Sequence, residues 1–241
     1  MGDKETVSIV IATHNRPLLL EKTLDSVVTQ TSCGEIIVLN DGGIDVSEIT
    51  SNYEVPIVLI NQKKNKGPAS ALNTAIHAAR GHYISICDDD DIFTPDHTDT
   101  LKSYLKNHKE CELVYSSTYA FSDEPSNIIG KMDTGFNPKK LYETNFIPPS
   151  STLFTKSLYE RVGGFDESLP GYWDWDFFLK ASKYTDIQHV DQFLTFYRVH
   201  EQSFQRTQEK TELEKMIKVL STRHNLSQID VKNLFENFEV L

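Results

Sequence analysis

Four consecutive carboxylates, Asp88 to Asp91, are the residues of this 241-residue chain whose types and spacing most directly suggest chemistry. They follow the short apolar stretch 84–87, which has the length and composition of a buried β-strand. Neighbouring negative charges repel one another, so a fold tolerates such a run only where it is solvated or close to a cation. The run is therefore either a solvated acidic loop or a set of oxygen ligands for a hard divalent cation such as Mg²⁺ or Mn²⁺. On its own it leaves both interpretations open.

A second pair of carboxylates lies in the segment 171–180, where Asp174 and Asp176 alternate with tryptophans and precede two phenylalanines. The segment is expected to begin as a loop and to continue as an apolar helix, with the two acids on different faces. A carboxylate among aromatic rings should have a raised pKa, which suits a general base. The alternative is that Asp174 caps the helix N-terminus, a common structural role for Asp.

The elements that must position these acids alternate along the first half of the chain. Predicted strands at residues 7–12, 35–39, 57–60 and 82–87 are separated or followed by helices that begin near Pro17, Ala69 and Thr94. This alternation predicts an α/β fold with a mostly parallel central sheet and helices on both faces. In such sheets ligands bind outside the carboxyl ends of the strands.

Polar clusters follow all four of these strands, at residues 13–16, 40–43, 63–67 and 88–91. In a parallel sheet they would converge on one edge. Loops are commonly polar, so convergence alone is weak. A two-glycine turn, a lysine-rich loop and an acidic run at the same edge nevertheless indicate a site for a nucleoside diphosphate.

Composition restricts the class of protein. With 39% hydrophobic and 24% charged residues the chain is typical of a soluble globular protein, and its net charge of −11 argues against nucleic acid as a partner. The three cysteines have neither metal-knuckle nor disulfide spacing. Because no signal peptide or membrane-spanning run is visible, we expect a cytoplasmic protein, with peripheral attachment to the inner face of the membrane left open.

The second half of the chain is less regular. Strands are predicted at residues 113–120 and 193–199, with a hairpin or mobile loop at 122–135, and together they indicate a small antiparallel portion of the sheet. The tail, from residue 207 to 241, predicts two helices at about 211–223 and 227–238. Its polar face is mixed in charge, so we expect it to pack on the domain or to form a homodimer contact.

Several motifs, taken together and in order, resemble the family 2 glycosyltransferases of GT-A fold. The resemblance covers about residues 7–205, and the motifs lie at residues 7–17, 40–43, 65–73, 87–95, 163–176 and 197–200. The run after the fourth strand resembles the family's DXD metal motif, and GGFDE at 163–167 followed by WDWD resembles its Gly-Gly-Phe-Asp-Glu…Glu-Asp block. Each motif alone is weak, but their order and spacing are specific.

This resemblance implies a Rossmann-like GT-A domain over residues 1–206. Its nucleotide-sugar-binding half would be residues 1–110 and its acceptor-binding half 111–206, with residues 207–241 as a C-terminal helical extension. The implied activity is metal-dependent, inverting transfer of a sugar from a UDP- or dTDP-sugar donor to a hydroxyl group. The acceptor would be a glycan or lipid-linked glycan in bacterial cell-surface polysaccharide synthesis.

The resemblance also implies roles for individual residues. Those that would bind the nucleotide are Thr13, His14, Asn15, Arg16, Asp41, Asn65, Gly67, Asp88 and Asp89. Those nearer the reacting groups are Asp90 as ligand of Mn²⁺ or Mg²⁺, His200 as its helper, Asp91 and Trp173 at the donor or acceptor sugar, and Asp174 as the catalytic base.

Two other functions compete with this one. A sugar-phosphate nucleotidyltransferase has a related sheet and also uses Mg²⁺. A chain that resembles that class would have a glycine-rich loop directly after the first strand, but residues 13–16 contain no glycine. A non-catalytic nucleotide- or cation-binding module would not need a base. The presence of both Asp90 and Asp174 argues against it.

Overall fold

The structure, a computed structural model, describes residues 5–200, 210–226, 229 and 237–241. The strands in these ranges are β1 (Val7–Thr13), β2 (Cys33–Asp41), β3 (Ile57–Gln62), β4 (Tyr83–Ile86), β5 (Ile92–Phe93), β6 (Leu113–Phe121), β7 (Ile128–Met132), β8 (Thr152–Thr155), β9 (Ile187–Arg198) and β10 (Glu239–Val240). The helices are α1 (Pro17–Val27), α2 (Ser47–Ser51), α3 (Pro68–Ala78), α4 (His97–Asn107), α5 (Pro138–Leu141), α6 (Lys156–Val162), α7 (Trp173–Ala181) and α8 (Lys210–His224), with a 3₁₀ turn at Pro149–Ser151.

One mixed sheet runs through the described residues. Strands β3, β2, β1 and β4 are neighbours in that order and all their pairings are parallel. The sheet continues from β4 through β8, β6 and β7 to β10 by antiparallel pairings, while β9 lies parallel to β6 and antiparallel to β5. The predicted parallel half and the antiparallel portion beside it are both present, and the α/β fold is confirmed.

Side chains of the parallel strands are buried on both faces of the sheet. In β1, Ile9 and Ile11 pack with residues of α1 and α4, whereas Val10 packs with residues of α3 on the opposite face. Strand side chains alternate between faces, so a strand covered on both sides is mostly apolar on both. This confirms helices on both faces and explains why β1 is apolar on both faces apart from the buried Ser8 and Thr13.

The two strands nearest the acidic run differ from the predicted boundaries. Strand β9 begins at Ile187 and not at residue 193. Its register against β6 shifts around Ser117, and the residues at the shift, Asp191 and Gln192, are exposed. That irregularity hides the alternation that defines a strand. Strand β5 is only two residues long, too short to give any periodicity. The segment 122–135 contains β7, which forms the predicted hairpin with β6.

The turn that precedes α7 is tied to α3 by one buried amide. The Asn73 side chain donates to the carbonyl oxygen of Phe165 at 2.9 Å and to the Glu167 carboxylate at 3.0 Å. Its oxygen accepts from the Tyr159 hydroxyl at 2.5 Å and from the backbone N–H of Phe165 at 3.1 Å. Because the amide is fully used, it fixes the path of the chain into α7.

The described part of the tail packs on the same core. Helix α8 buries Met216, Ile217 and Leu220, which lie on the apolar face expected from the sequence. That face is occupied within the chain, and the homodimer stays a prediction. The expected helix at 227–238 lies largely outside the described residues. No helix in the described part is long and apolar enough to cross a membrane.

Candidate active site

A cavity of about 270 Å³ opens at the carboxyl ends of β1, β2 and β4, the edge that the sequence predicts. The predicted site residues that line it are Thr13, His14, Arg16, Asp41, Asn65, Gly67, Asp88, Asp90, Trp173 and Asp174. The predicted residues that are not among its lining residues are Asn15, Asp89, Asp91 and His200. The fold therefore brings residues from the first strand and from α7 to a single space.

Asp41 closes one end of this cavity by holding the loop that precedes α3. Its carboxylate accepts hydrogen bonds from the backbone N–H groups of Lys66 at 2.9 Å and Gly67 at 2.8 Å. Gly67 has a φ of +88°, a conformation that favours glycine. Asp41 thus folds this lysine-containing loop over the end of β2.

His14 is fixed by a relay of hydrogen bonds in which Asn15 takes part from outside the cavity. His14 donates from Nδ1 to the carbonyl oxygen of Asp41 at 2.9 Å, and its Nε2 accepts from the Asn15 amide at 2.9 Å. The oxygen of that amide accepts from the backbone N–H of Ile44 at 2.9 Å. Asn15 thus orients His14, and its expected contact with the nucleotide stays a prediction.

Arg16 neutralises two of the four acids. Its guanidinium pairs with both oxygens of Asp89, and Nη1 donates to Asp90 Oδ2 at 2.7 Å. Asp89 is fully buried, so its charge requires such a partner. The Asp89 carboxylate is engaged by Arg16, and its expected contact with the nucleotide stays a prediction.

Asp90 and His200, the two residues expected at the cation, are neighbours, with His200 Nε2 2.9 Å from Asp90 Oδ2, and their role as metal ligands stays a prediction. Burial alone would raise the pKa of Asp90, but the hydrogen bond from His200 and the charge of Arg16 outweigh burial and hold the pKa below its ordinary value. In contrast, burial and repulsion from Asp90 and Asp89 raise the pKa of Asp88. The cavity thus contains more carboxyl groups than the protein cations beside it can pair with.

The Asp88 and Asp90 carboxylates and the His200 imidazole fit a hard divalent cation that the substrate also helps to bind. Within the described ranges no cluster of three or more His, Cys, Asp or Glu residues has the geometry to hold a metal ion. Mg²⁺ and Mn²⁺ sites commonly use one or two carboxylates and take the remaining oxygens from substrate phosphates. Asp90 and Asp88 supply such carboxylates, and His200 would have to lose its Nε2 proton before it could serve as a ligand.

Asp91 points away from the cavity. It is 1% exposed, and its Oδ1 accepts from the backbone N–H of Arg198 at 2.9 Å. Arg198 in turn donates from Nε to the carbonyl oxygen of Asp90 at 2.8 Å. These contacts join the acidic turn to the end of β9, and the expected contact of Asp91 with the donor or acceptor sugar stays a prediction. Arg198 was not predicted as a site residue, although it stands two residues before His200 in the strand-end motif.

Asp174 lies in the first turn of α7. The N-cap residue of this helix is Tyr172, which has the left-handed conformation with φ +56°. Asp174 is therefore not the cap. Burial raises the pKa of Asp174 to about 6, while a hydrogen bond from Asn145 Nδ2 to Oδ2 at 2.8 Å opposes that rise. Asp176, on the other face as expected, pairs with Lys180 and Arg223.

Three residues of this region carried no usable sequence signal. Tyr172 and Tyr197 line the cavity, and Asn145 contacts the expected base across 29 positions of sequence. A left-handed conformation is rare for a tyrosine and costs about 1–3 kcal/mol, and such strain concentrates at functional sites. Only the folded chain reveals these residues, because their contacts depend on distant segments.

The fold is that of the GT-A glycosyltransferases. The family model described as Glycosyl transferase family 2 matches residues 8–163, and the chain belongs to this family. It is 31% identical to the uncharacterized glycosyltransferase YwdF of Bacillus subtilis (strain 168) over 235 residues, which cover 94% of this chain and 87% of that protein.

Two solved structures share the fold at low sequence identity. TarS 1–349 of S. aureus in complex with UDP-GlcNAc is 16% identical, with a TM-score of 0.74 over 96% of this chain and 69% of that one. The mannosyltransferase PcManGT of Pyrobaculum calidifontis in complex with GDP-Man and Mn²⁺ is 19% identical, with a TM-score of 0.68 over 90% and 65% of the two chains. The expected GT-A fold and glycosyltransferase class are confirmed.

Proposed function

We propose that this glycosyltransferase is a metal-dependent, inverting enzyme that transfers a sugar from a nucleoside-diphosphate donor to a hydroxyl acceptor. The observation that carries the proposal is that Asp90 and Asp174 line the same cavity. Asp41, beside which the nucleotide would bind, lines it as well. Two carboxylates that line one cavity can serve opposite sides of a reacting sugar. One side is the leaving diphosphate and the other is the attacking hydroxyl.

The nucleotide would lie along the carboxyl ends of β1 and β2. Thr13, His14 and Arg16 line this part of the cavity, and Asp41 shapes it through the loop that contains Gly67. Asn65 belongs to the same loop and also faces the cavity. Asp88 lies between this region and Asp90, where it would meet the ribose or the first phosphate.

A divalent cation, Mn²⁺ or Mg²⁺, would be held by Asp90 with Asp88 and His200 beside it. When bound, the cation supplies positive charge that stabilises the diphosphate as it departs, so no general acid is required. The excess of carboxylates over protein cations in the cavity supports this assignment. A bound cation would also favour the ionised form of these acids.

Asp174 would act as the general base. As the acceptor oxygen forms its bond to the anomeric carbon, the hydroxyl proton passes to the Asp174 carboxylate. The bond between the anomeric carbon and the diphosphate oxygen breaks, and its electron pair leaves with the nucleoside diphosphate. Attack opposite the leaving group inverts the anomeric configuration. Trp173, adjacent to the base and lining the cavity, would contact the sugar.

The substrates are proposed from the structural neighbours and from the family resemblance. UDP-GlcNAc and GDP-Man are bound by the two structural neighbours, which supports a nucleotide-sugar donor here, and a UDP- or dTDP-sugar remains the sequence-based proposal. A glycan or lipid-linked glycan acceptor, a role in bacterial polysaccharide synthesis and a cytoplasmic location are proposals drawn from the family resemblance and the composition.

A panel of UDP-, dTDP- and GDP-sugars, incubated with Mn²⁺ or with EDTA, tests the proposal by measuring the released phosphate species. We expect free nucleoside diphosphate from at least one sugar with Mn²⁺ and none with EDTA. The matched control is Asp90→Asn, which should release little product even with Mn²⁺. Pyrophosphate chemistry would instead indicate a nucleotidyltransferase, and no turnover of any sugar would indicate a binding module. Turnover that is indifferent to EDTA would refute the metal role.

A further inference from the structure

The residue in direct contact with the expected base is a buried asparagine from a different part of the chain. Asn145 is 2% exposed, and its Nδ2 donates to Asp174 Oδ2 at 2.8 Å. A carboxylate only accepts hydrogen bonds, so the amide must present its NH₂ group to Asp174. The contact thus has one direction, and it involves one of the two carboxylate oxygens.

The segment that carries this asparagine is clamped to α7 at a second point. The carbonyl oxygen of Leu141 accepts from Trp175 Nε1 at 2.7 Å, so residues 141–145 contact both Asp174 and its neighbour in the helix. Phe146, which follows, is fully buried and anchors the segment in the core. The amide of Asn145 is therefore held in place before any substrate arrives.

The C-terminal segment fixes Asn145 from the other side. Asn237 Nδ2 donates to the carbonyl oxygen of Asn145 at 2.9 Å, and the adjacent Phe238 stacks on Tyr197, which lines the cavity, with ring centroids 5.6 Å apart. Residues far beyond the family-matched region thus reach the surroundings of the base.

We infer that Asn145 is a positioning residue that fixes one oxygen of Asp174 and presents the other to the acceptor hydroxyl. This inference rests on the proposed function, in which Asp174 is the base. A base that is held in one orientation accepts a proton faster, because the reacting atoms must approach within hydrogen-bond distance in a defined orientation. The same hydrogen bond favours the ionised carboxylate, so it keeps the base in its active form at neutral pH.

Two substitutions of Asn145 separate positioning from simple packing. Asn145→Asp keeps the shape but replaces the donor with a second carboxylate, and Asn145→Ala removes the side chain. In both variants we expect the acid limb of the kcat/KM profile to move to higher pH, by about one unit or more for Asn145→Asp, because a lost charge-assisted hydrogen bond is worth about that much. The titration of the Asp174 carboxyl, followed by carbon-13 NMR and identified against Asp174→Asn, should move in the same direction.

The other titratable groups around Asp174 are shared by the wild type and the variants. They are His14, Arg16, Asp41, Asp88, Asp90, Tyr172 and Tyr197 in the cavity, with Asp176 and its partners Lys180, Arg223 and His224 on the other face of α7. Asn40→Asp is a matched control, since it adds the same charge at a buried asparagine whose amide contacts Ile44 and Asn61. We expect it to move the acid limb less than Asn145→Asp does.

The outcomes separate this inference from the proposed function. A wild-type protein that releases no nucleoside diphosphate from any sugar would refute the function, whereas the carboxyl titration would still report on the contact. An active wild type with Asn145 variants that lose kcat while the acid limb and the Asp174 titration stay unchanged would overturn the inference. If Asn145→Asp fails to fold, judged by loss of UDP binding, the same two readouts on Asn145→Ala decide the question.

Discussion

At the scale of single residues, the acids of the site differ in the partners that bind each carboxylate. Asp89 is committed to Arg16, Asp91 to the backbone of Arg198, and Asp90 is shared between Arg16 and His200. Four carboxylates that look equivalent in sequence therefore have different roles. Asp174 stands apart from them, because hydrogen bonds from the Asn145 side chain and from the backbone, and no charged partner among the described residues, oppose the rise in its pKa that burial causes.

This difference predicts the effect of removing the base. Asp174→Asn should lower kcat by about 10²–10⁴-fold, the usual contribution of a general base, because the amide cannot accept the hydroxyl proton. UDP affinity, measured by calorimetry, should change little, since Asp174 is not among the residues proposed to bind the nucleotide. Full turnover by this variant would remove Asp174 as the base.

The pH dependence of the wild type follows from the same group. A base acts only when deprotonated, and burial raises the pKa of Asp174 to about 6. The value of kcat/KM should therefore fall as the pH drops through about 6, and Asp174→Asn should lose this limb from its residual activity. A wild-type acid limb centred near pH 4 would contradict the buried environment of Asp174.

At the scale of elements, α7 carries the base and is held from two sides. Residues 141–145 contact its first turn, and α8 contacts its opposite face through Asp176. That carboxylate is fully buried and pairs with Lys180, Arg223 and His224. Burial alone would raise the pKa of Asp176, but the hydrogen bonds from these three partners outweigh it and hold the pKa well below its ordinary value.

We therefore expect Asp176→Ala to destabilise the protein by about 3 kcal/mol, the lower end for breaking a buried ion pair, since Lys180 and Arg223 are partly exposed. Urea unfolding measures the change, and Asp191→Ala, at an exposed acid of β9, is the control. A group with a depressed pKa stabilises the fold above its unfolded pKa of about 3.9, so the deficit should shrink as the pH falls below about 4. A deficit that is the same at pH 3 and pH 7 would contradict the ion-pair origin.

At the scale of the whole molecule, the cavity is assembled from segments that run from Ala12 to Tyr197. A ligand that bridges these segments binds only the folded chain and must stabilise it. A cation and a diphosphate that share ligands must also strengthen each other's binding by the same factor. The fold and the proposed chemistry can therefore be tested together by thermal unfolding.

UDP with Mn²⁺ should raise the melting temperature, whereas UDP with EDTA should raise it far less. At 100 times the dissociation constant the stabilisation is about 2.7 kcal/mol, or roughly 5–10 °C for a chain of this size. UMP, which lacks the second phosphate, is the matched control ligand and should show little dependence on Mn²⁺. An equal shift by UDP in Mn²⁺ and in EDTA would show that the nucleotide and the cation bind independently.

By itself, the sequence determined the parallel half of the sheet and the edge at which the site lies. Apolar runs such as residues 7–12 and 84–87 are buried on both faces, and the polar turns after them necessarily meet at the carboxyl ends of parallel strands. These features are local or topological, so pattern and spacing are enough to define them.

Only the tertiary structure decided which acids face the cavity and what holds the base. The turn after β4 sends Asp89 to Arg16 and Asp91 to the last residue of β9, because a buried carboxylate requires a hydrogen-bond donor or a cation as its partner. Asn145 reaches Asp174 across 29 residues, and Arg223 of α8 reaches Asp176 across 47. Hydrogen-bond partners at such separations depend on three-dimensional packing, and neither periodicity nor motif spacing encodes them.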